Sequence, residues 1–524
     1  MSKRKREKAL KAAAAAAGGA ATLTAYAGGY DGGGHRGSLM TFLPRAGGPR
    51  SDAIPSLPTL RGRSRDLERN SPLATGTLVT VTTNVVGTGI FPMARLDPAR
   101  LGLTAERAAE IELDLGFEFD LWADAITADD TYEQTFWGLQ ELALRSQLLS
   151  GDCFSVPRYE ARGTSPYELA VQLIEADRCC NPTGKTDGTV MAGGAELIAG
   201  VEIDARGRAV AYWFADRHPG ETLQASLRYE RLPAWGQNGN RAVFHHFRRL
   251  RPGQTRGVPY FAPVIGLFKD LGRYTEAEIM AAVLSACFAI TTTDEAGDGA
   301  DVGGSDDAGD GVSDRLRYFE PGLTGNLTAG QQIASFMPNR PNQAFDPFVL
   351  AMLRQVGVAL ELPYEVLVKH FTASYSAARA ALLEAWKMFR MRRAWLAASF
   401  CQPYYERWLI EASALGRVPD VFGDYGRFRA WSACEWIGPS PGQIDELKEA
   451  QAAKLRVDEE FSTREEETAR LTGGDWRQKH RQRVIEERLR RQDGTVVPTA
   501  PGTTSTAPAD QQDPAQNPDQ QEAA

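Results

Sequence analysis

The stretch that decides the fold is Arg251-Pro252-Gly253-Gln254-Thr255-Arg256-Gly257-Val258-Pro259, because the pattern of apolar residues differs on its two sides. Before it, the period-two alternation typical of strands is mixed with helical spacing. After it, from about residue 262, apolar residues recur at helical spacing with one interruption. The sequence therefore predicts an α+β first half and a largely helical second half.

Several patterns predict elements of the first half. Residues 78–84 are rich in β-branched side chains and predict a strand. Residues 130–149 carry apolar side chains at helical spacing, namely Phe136, Leu139, Leu142 and Leu149. A hairpin is predicted around residues 204–207, where apolar residues alternate on both sides: Val201, Ile203, Val210, Tyr212 and Phe214. His245 and His246 lie in an apolar strand, whose alternation sends the rings to opposite faces, so we expect one buried and one exposed ring.

The interruption of the helical half is rich in Gly and Asp over residues 294–314 and is followed by short β-like pieces at 316–319 and 332–336. The acidic run suggests calcium, but it fits no EF-hand spacing, which favours a solvated loop over a metal site. We predict that a helix resumes at Asp346-Pro347, since Asp is a good N-cap and Pro suits the first helical position.

Two further helical regions follow. A long helix is predicted from about residue 376 to residue 409, and residues 445–491 read as charged, solvated helices. One of the latter opens with the predicted capping box Ser462-Thr463-Arg464-Glu465.

The two ends of the chain differ from its body. Residues 1–55 are rich in Gly, Ala and Pro and residues 493–524 in Pro, Gln, Thr and Asp, so both are predicted to be disordered. Residues 1–70 hold 13 Lys and Arg against five Asp and Glu, a net charge of +8, whereas the rest of the chain carries −16. This basic arm either binds nucleic acid or an acidic partner, or is a solvated tail. It superficially resembles a secretory signal but lacks a Leu-rich apolar region.

The composition limits the classes of function. The six cysteines show no CxxC spacing, which argues against a zinc site or a disulfide framework. The apolar stretch at 279–290 is shorter than the ~20 residues that a membrane helix needs. An acidic body also argues against a sequence-reading DNA regulator, which would carry a basic stripe.

Two strings imitate enzyme motifs without meeting their physical requirements. Gly184-Lys185-Thr186 resembles the end of a phosphate-binding P-loop, but Cys179 occupies the position of the first glycine. Gly438-Pro439-Ser440-Pro441-Gly442 matches a nucleophile elbow, yet the prolines oppose the required strand-to-helix turn and predict a loop. We therefore predict no catalytic residue, no cofactor and no metal.

A series of strings resembles, in order, the portal protein (head-tail connector) family of lambda-type tailed phages over about residues 30–475. The strings include Arg65-Asp66-Leu67-Glu68-Arg69-Asn70, Asn84-Val85-Val86-Gly87-Thr88-Gly89-Ile90, Ile174-Glu175-Ala176-Asp177-Arg178, Arg251-Pro252-Gly253-Gln254-Thr255-Arg256-Gly257, Leu362-Pro363-Tyr364-Glu365 and Tyr375-Ser376-Ala377-Ala378-Arg379. The positions that carry the resemblance are Arg65, Asn70, Gly87, Gly89, Arg251, Gln254, Arg256 and Arg379. The chain departs from the family at Gly151-Asp152, where Gly-Glu is usual, at Ser376-Ala377, and at Asp445-Glu446-Leu447-Lys448-Glu449.

The resemblance implies a portal fold of the α+β class that forms a ring, usually of twelve subunits. Its mixed α/β wing would span residues 56–261, followed within 262–361 by stem helices near 262–292 and 347–361 that flank a small β-containing clip at about 293–345. Residues 362–440 would hold the tunnel loop and a long wing helix, and residues 441–492 a helical crown-like region.

The family further implies two sets of site residues. The tunnel loop, which narrows the channel against DNA, would contain Lys369, His370, Phe371, Thr372, Ser374 and Tyr375. The clip would dock the motor and adaptor proteins through its acidic residues, namely Asp294, Glu295, Asp298, Asp301, Asp306, Asp307, Asp310 and Asp314. Each assignment has an alternative. The loop at 369–375 would then be an ordinary connection between helices, and the acidic run would be a spacer.

The implied function is a passive ring channel at one capsid vertex, through which viral DNA is packaged and ejected. The implied partners are further copies of the chain, double-stranded DNA, the terminase large subunit, capsid and scaffold proteins and a head-completion adaptor, without a membrane. The resemblance also implies that the chain is assembled in the host cytoplasm and resides in the virion. The alternatives are another phage head protein, either an adaptor or a fused head protease.

Overall fold

A computed structural model describes residues 40–44, 46–163, 165–221, 227–237, 239–286, 290–294, 331–335, 344–371, 374–442 and 445–493. The predicted tail at 494–524 and most of the predicted arm lie outside these residues. The arm prediction is wrong at its end, because Pro49–Ala53 form a helix that precedes a 3₁₀ turn at Ile54–Ser56.

The α-helices of the described residues are, in chain order, α1 (Pro49–Ala53), α2 (Leu57–Asn70), α3 (Pro72–Val85), α4 (Pro98–Leu101), α5 (Ala105–Ala123), α6 (Phe136–Ser150), α7 (Ile265–Ala286), α8 (Phe345–Ala359), α9 (Tyr364–Val368), α10 (Tyr375–Leu396), α11 (Gln402–Ala414), α12 (Tyr425–Ser432), α13 (Glu446–Asp458), α14 (Arg464–Thr472) and α15 (Trp476–Gln492). Short 3₁₀ turns lie at Ile126–Ala128, Ala176–Arg178 and Pro219–Glu221.

The strands are β1 (Phe91–Ala94), β2 (Asp152–Tyr159), β3 (Leu169–Glu175), β4 (Thr189–Val190), β5 (Glu196–Ile198), β6 (Val201–Ile203), β7 (Ala209–Ala215), β8 (Tyr229–Pro233), β9 (Phe244–Phe247), β10 (Ile290–Asp294), β11 (Gln331–Ser335) and β12 (Cys434–Ile437). They form antiparallel sheets in the orders β3-β2-β9, β4-β5-β6-β7-β8, β1-β12 and β10-β11. The protein thus mixes helices with open sheets. The predicted hairpin is confirmed, with Val201 opposite Tyr212.

The strand predicted at 78–84 is wrong, because these residues belong to helix α3. The Ser71 hydroxyl accepts a hydrogen bond from the Ala74 amide, with Pro72 at the first helical turn, so the sequence supplies a good start signal. Leu78, Val81 and Val85 are fully buried at helical spacing. Burial of this face in the core overrides the weak strand preference of β-branched residues.

Two hydrophobic cores organise the described residues. The smaller one packs Phe154 and Ile174 of the β3-β2-β9 sheet against Val201 and Phe214 of the five-stranded sheet. The larger one joins helices α3, α5 and α6 to the C-terminal helices through buried aromatic side chains, with the Phe119 and Trp408 rings 5.0 Å apart. Consequently residues from both halves of the sequence build one body.

The predicted helical interruption has a paired-strand base. Helix α7 ends at Ala286, and β10 pairs with β11 from Ile290 opposite Ser335 to Asp294 opposite Gln331. The prediction of a helix to residue 292 is therefore wrong at its end, where the β-branched run at 291–293 favours a strand. The predicted β-like piece at 332–336 corresponds to β11, while 316–319 lie outside the described residues.

The helical half otherwise follows its sequence pattern. The helix predicted from about residue 376 comprises α10, a π-helical turn at Ala397–Cys401 and α11. Helix α8 begins one residue before Asp346, so the predicted N-cap is wrong. The predicted capping box is shifted by one residue and joins Thr463 to Glu466. Among the described residues, no helix has the length and apolar character needed to cross a membrane.

Candidate functional site

Arg256, one of the positions that carry the family resemblance, contacts a buried carboxylate, that of Asp152 at the start of β2. Asp152 is fully buried and accepts hydrogen bonds from Arg61 (Nη2, 2.9 Å), Arg256 (Nε, 2.6 Å) and the Gly257 amide (3.1 Å). The His245 ring nitrogen Nε2 lies 3.2 Å away. Burial raises the pKa of Asp152, but the two guanidinium groups and the His245 hydrogen bond outweigh it and hold this pKa well below its usual value.

Helix α6 and strand β2 deliver this carboxylate through a glycine turn. Gly151 has φ +88°, and a Cβ added there would meet the Gly257 carbonyl carbon at 2.5 Å. A Cβ on Gly257 would meet the Gly151 oxygen at 1.9 Å. The two backbones therefore touch, which only glycine permits on both sides.

Arg256 connects the β3-β2-β9 sheet to the five-stranded sheet. Its buried guanidinium donates to the carbonyl oxygens of Ala176 (2.6 Å), Cys179 (2.8 Å) and Ala199 (2.5 Å), in addition to Asp152. Burial lowers the pKa of Arg256, but Asp152 more than compensates and raises it above its ordinary value. The group stays charged, and its planar array of donors satisfies backbone groups that would otherwise be buried without partners.

A second layer of ion pairs surrounds this centre on the solvent side. Arg65 contacts Glu175 (2.7 Å) and Asp177 (2.5 Å), and Arg61 also contacts Asp177 (2.9 Å). Glu175, Asp177 and His218 lie close enough together to hold a metal ion. The arginines already neutralise both carboxylates, so we interpret the cluster as an ion-pair network and propose no metal there.

The two adjacent histidines of β9 are both buried, so the expectation of one exposed ring is wrong. The rings do face opposite sides, since His245 contacts Asp152 whereas the His246 Nε2 lies 2.7 Å from the Ser155 hydroxyl. Burial lowers the pKa of His245 to about 4 despite Asp152, and lowers that of His246 to about 3. Alternation is correct, but both faces of this strand are covered, because the His245 ring packs near Tyr212 of β7 and the His246 ring packs near Phe400 of the π-helical turn.

The remaining motif residues stabilise neighbouring loops and helices. The Gln254 side chain accepts from the Leu250 amide (2.8 Å) and donates to the Arg256 carbonyl (2.8 Å), which fixes the loop before α7. Arg251 pairs with Asp52 of α1 at 2.6 Å, and Arg379 of α10 pairs with Glu449 of α13 at 3.3 Å.

Three further motif positions shape the ends of α2 and α3. Asn70 donates to Asp66 within α2 at 2.7 Å. Gly87 and Gly89 have φ +58° and +139°, where a side chain would be strained. These motif positions thus stabilise turns and helix ends of the protein's own scaffold.

The predicted tunnel loop joins α9 to α10, and its described residues face solvent. Lys369, His370, Phe371 and Ser374 are exposed, with Phe371 48% exposed. Lys369 adopts the left-handed conformation at φ +56° and ends α9, while the Ser374 hydroxyl accepts from the Ala377 amide and caps α10. Thr372 lies outside the described residues, and Tyr375 begins α10. The loop therefore displays a cationic, an imidazole and an aromatic side chain between two capped helices.

Most of the predicted acidic docking residues lie outside the described residues. Asp294 is the last residue of β10 and pairs with Gln331 of β11. The other acidic positions follow it directly in the chain.

Sequence reasoning missed two members of the buried centre. Arg61 lies one helical turn before Arg65 on α2, a spacing that places both guanidinium groups on one face and could have identified the pair. Asp152 was noted only as a departure from the family pattern, because a lone aspartate gives no sign of its burial.

Comparisons with known proteins find a matching family model, similar sequences and similar solved chains. The model of the family described as phage portal protein, lambda family, matches residues 35–393. Portal protein B of Escherichia phage lambda is 25% identical over 508 residues, which cover 91% of this chain and 92% of that protein. The portal protein of Escherichia phage N15 is also 25% identical over 508 residues, with 91% and 93% covered. A solved chain from the neck of an empty GTA particle, computed with C6 symmetry, is 14% identical, covers 79% of this chain and 92% of its own, and has a TM-score of 0.40.

Proposed function

This chain belongs to the lambda family of phage portal proteins, a family of structural virion components, and on that premise we propose that it forms a closed ring channel of about twelve subunits. The ring would occupy one capsid vertex and conduct double-stranded DNA during packaging and ejection. The single observation that carries the proposal is the match to the portal family model over residues 35–393.

The helix pair α7 and α8 supports the role of a stem. Tyr274 of α7 packs against Phe345 and Phe348 of α8, with ring centroids 5.5 and 4.9 Å apart. Both helices lead to the strand pair β10 and β11, which supports a clip at the end of a stem.

An exposed apolar face on α7 supports self-association. Ile279, Met280 and Val283 are 59%, 61% and 52% exposed in the single chain. The first and last of these are one helical turn apart and share a side of the helix. Exposed apolar surface of this kind typically lies in an interface, and in a closed ring a neighbouring copy would cover it.

The loop at 369–375 supports a role in contacting DNA within the channel. Its exposed Lys369 and His370 carry donors that bind phosphate oxygens singly, and such contacts do not read sequence. A few weak contacts per subunit suit a polymer that must slide, because strong phosphate binding would stall it.

The acidic run that follows β10 supports a docking role for the clip. Its negative charge complements a basic surface on a partner, which would be the terminase large subunit during packaging and a head-completion adaptor afterwards. Capsid and scaffold proteins would contact the wing during assembly in the host cytoplasm. The chain would act as a passive conduit without catalysis of its own, and the force would come from the separate motor.

Mutation of the α7 face tests the ring. The double variant Ile279→Glu and Val283→Glu places charges on the proposed interface, and we expect mass photometry to shift from rings to single chains. A matched control carries Val190→Glu and Leu250→Glu, at wing positions that are 70% and 68% exposed, and should keep its rings. Rings that persist in the α7 variant would contradict the proposed interface, and a wild-type protein that never forms rings would contradict the ring itself.

A further inference from the structure

The last helix, α15, differs in charge from the rest of the protein. It holds seven Lys and Arg against two Glu, a net charge of +5 over Trp476–Gln492, whereas the whole chain carries −8. None of its residues is buried. Like charges on adjacent turns of a helix repel one another, so this density of cations disfavours the isolated helix and favours a polyanionic partner.

The first turn of α15 is fixed to the body of the protein. The Arg477 guanidinium pairs with Glu112 of α5 and with Glu465 of α14, the latter at 3.3 Å. The Asp475 carboxylate accepts from the Arg477 amide at 2.7 Å, and the Trp476 ring stacks on His480 with centroids 4.9 Å apart. The remaining turns extend from this anchor with exposed cationic side chains.

The cations lie on two opposite sides of the helix. Arg481 and Arg488 are seven residues apart and share one side, whereas Lys479 and Arg483 lie roughly 180° around the axis from them. Within the described part of the chain, the guanidinium groups of Arg481, Arg483 and Arg488 form no ion pair. Positive charge in the last turn, by contrast, complements the helix C-terminus and requires no anionic ligand.

We propose that α15 binds the phosphate backbone of double-stranded DNA without reading its sequence. A helix about 10–12 Å across fits a major groove about 12 Å wide, where cations on its two sides would each face one row of phosphates. Of the 17 residues of the helix, only three are aliphatic, namely Val484, Ile485 and Leu489. This is too narrow an apolar face for a helix that lies in a membrane surface, which favours nucleic acid over lipid. The inference rests on the proposed function, in which DNA is the cargo, and adds a contact outside the channel loop.

The test measures binding of a short duplex of random sequence to the full-length protein as a function of salt. The variant replaces Arg481, Arg483 and Arg488 with glutamine, which keeps good helix propensity and removes three charges. Because each phosphate contact contributes about 0.9 to the slope of log affinity against log salt, we expect the slope to fall by up to about 2.7. The same three positions changed to lysine should restore it.

A matched control replaces Arg63, Arg206 and Arg464, which are exposed on other parts of the chain, with glutamine and should leave the slope unchanged. An unchanged slope in the α15 variant overturns the inference, as does a loss of rings, which would assign the helix to subunit contacts. Binding of wild-type protein to phosphatidylserine vesicles but not to DNA overturns it in favour of a membrane. Because rings are scored separately by electron microscopy, failure of this inference is distinguishable from failure of the proposed function.

Discussion

Replacement of Asp152 by asparagine tests whether the buried charge centre holds the two sheets around it together. The change keeps the shape of the side chain but removes the negative charge that compensates Arg256 and, in part, Arg61. Removing one partner of a buried ion pair costs about 3–5 kcal/mol, because the other charge stays buried without compensation. Arg61 keeps its contact with Asp177 at 2.9 Å, so we expect the lower end, about 3 kcal/mol of unfolding free energy.

The assay is urea unfolding followed by circular dichroism and tryptophan fluorescence, with all variants compared in the same oligomeric state. Glu110→Gln serves as the matched control, because Glu110 makes an ion pair with Arg107 in which both side chains are more than half exposed. Such a pair contributes at most about 1 kcal/mol. A loss below about 1 kcal/mol for Asp152→Asn, equal to that of the control, would refute the reasoning.

Further perturbations probe the same scaffold and the channel loop. The pKa of His245 is lowered to about 4 in the folded protein, so the unfolded chain binds the proton first and the free energy of unfolding falls as the pH drops from about 6.5 towards 4. Over this range the wild type should lose about 3 kcal/mol more than His245→Gln, as measured by unfolding at several pH values. Gly151→Ala should lower the free energy of unfolding by at least about 2 kcal/mol in the same assay, because its Cβ would meet backbone atoms. The control Gly207→Ala has φ +81° and open space around the new Cβ, so it should cost only about 1 kcal/mol. Equal losses would contradict the close backbone contact at Gly151. Lys369→Glu should leave ring assembly intact and reduce the DNA packaged per head, as measured by protected DNA in an in vitro packaging reaction. The control Lys387→Glu, on the exposed face of α10, should leave the packaged DNA unchanged. Equal packaging by both variants would exclude a channel role for the loop.

The sequence predicts the order of elements better than their burial. The division near Arg251–Pro259, the hairpin at 204–207 and the long helix from α10 to α11 all follow from local periodicity. Residues 78–84 do not, because their β-branched composition favours a strand and only the buried face of the folded core makes α3 a helix. Secondary structure that depends on tertiary contacts is only weakly indicated by the local sequence.

The same limit applies to the candidate sites. Arg256 belongs to a motif that is visible in the sequence, whereas Arg61 does not. Their shared partner Asp152 lies 104 residues from Arg256 and 91 from Arg61, so no local spacing connects the three. The two histidines were placed on opposite faces correctly, yet their burial depends on both sheet faces being covered. The role of the loop at 369–375 stays a prediction, since it depends on a ring that a single chain does not contain.

Negative-stain electron microscopy of the purified full-length protein, with mass photometry of the same sample, tests the central claim most directly. We expect annular particles of about twelve subunits with a central hole wide enough for double-stranded DNA. Single chains or dimers that form no rings, even with scaffold and capsid proteins added, would contradict it.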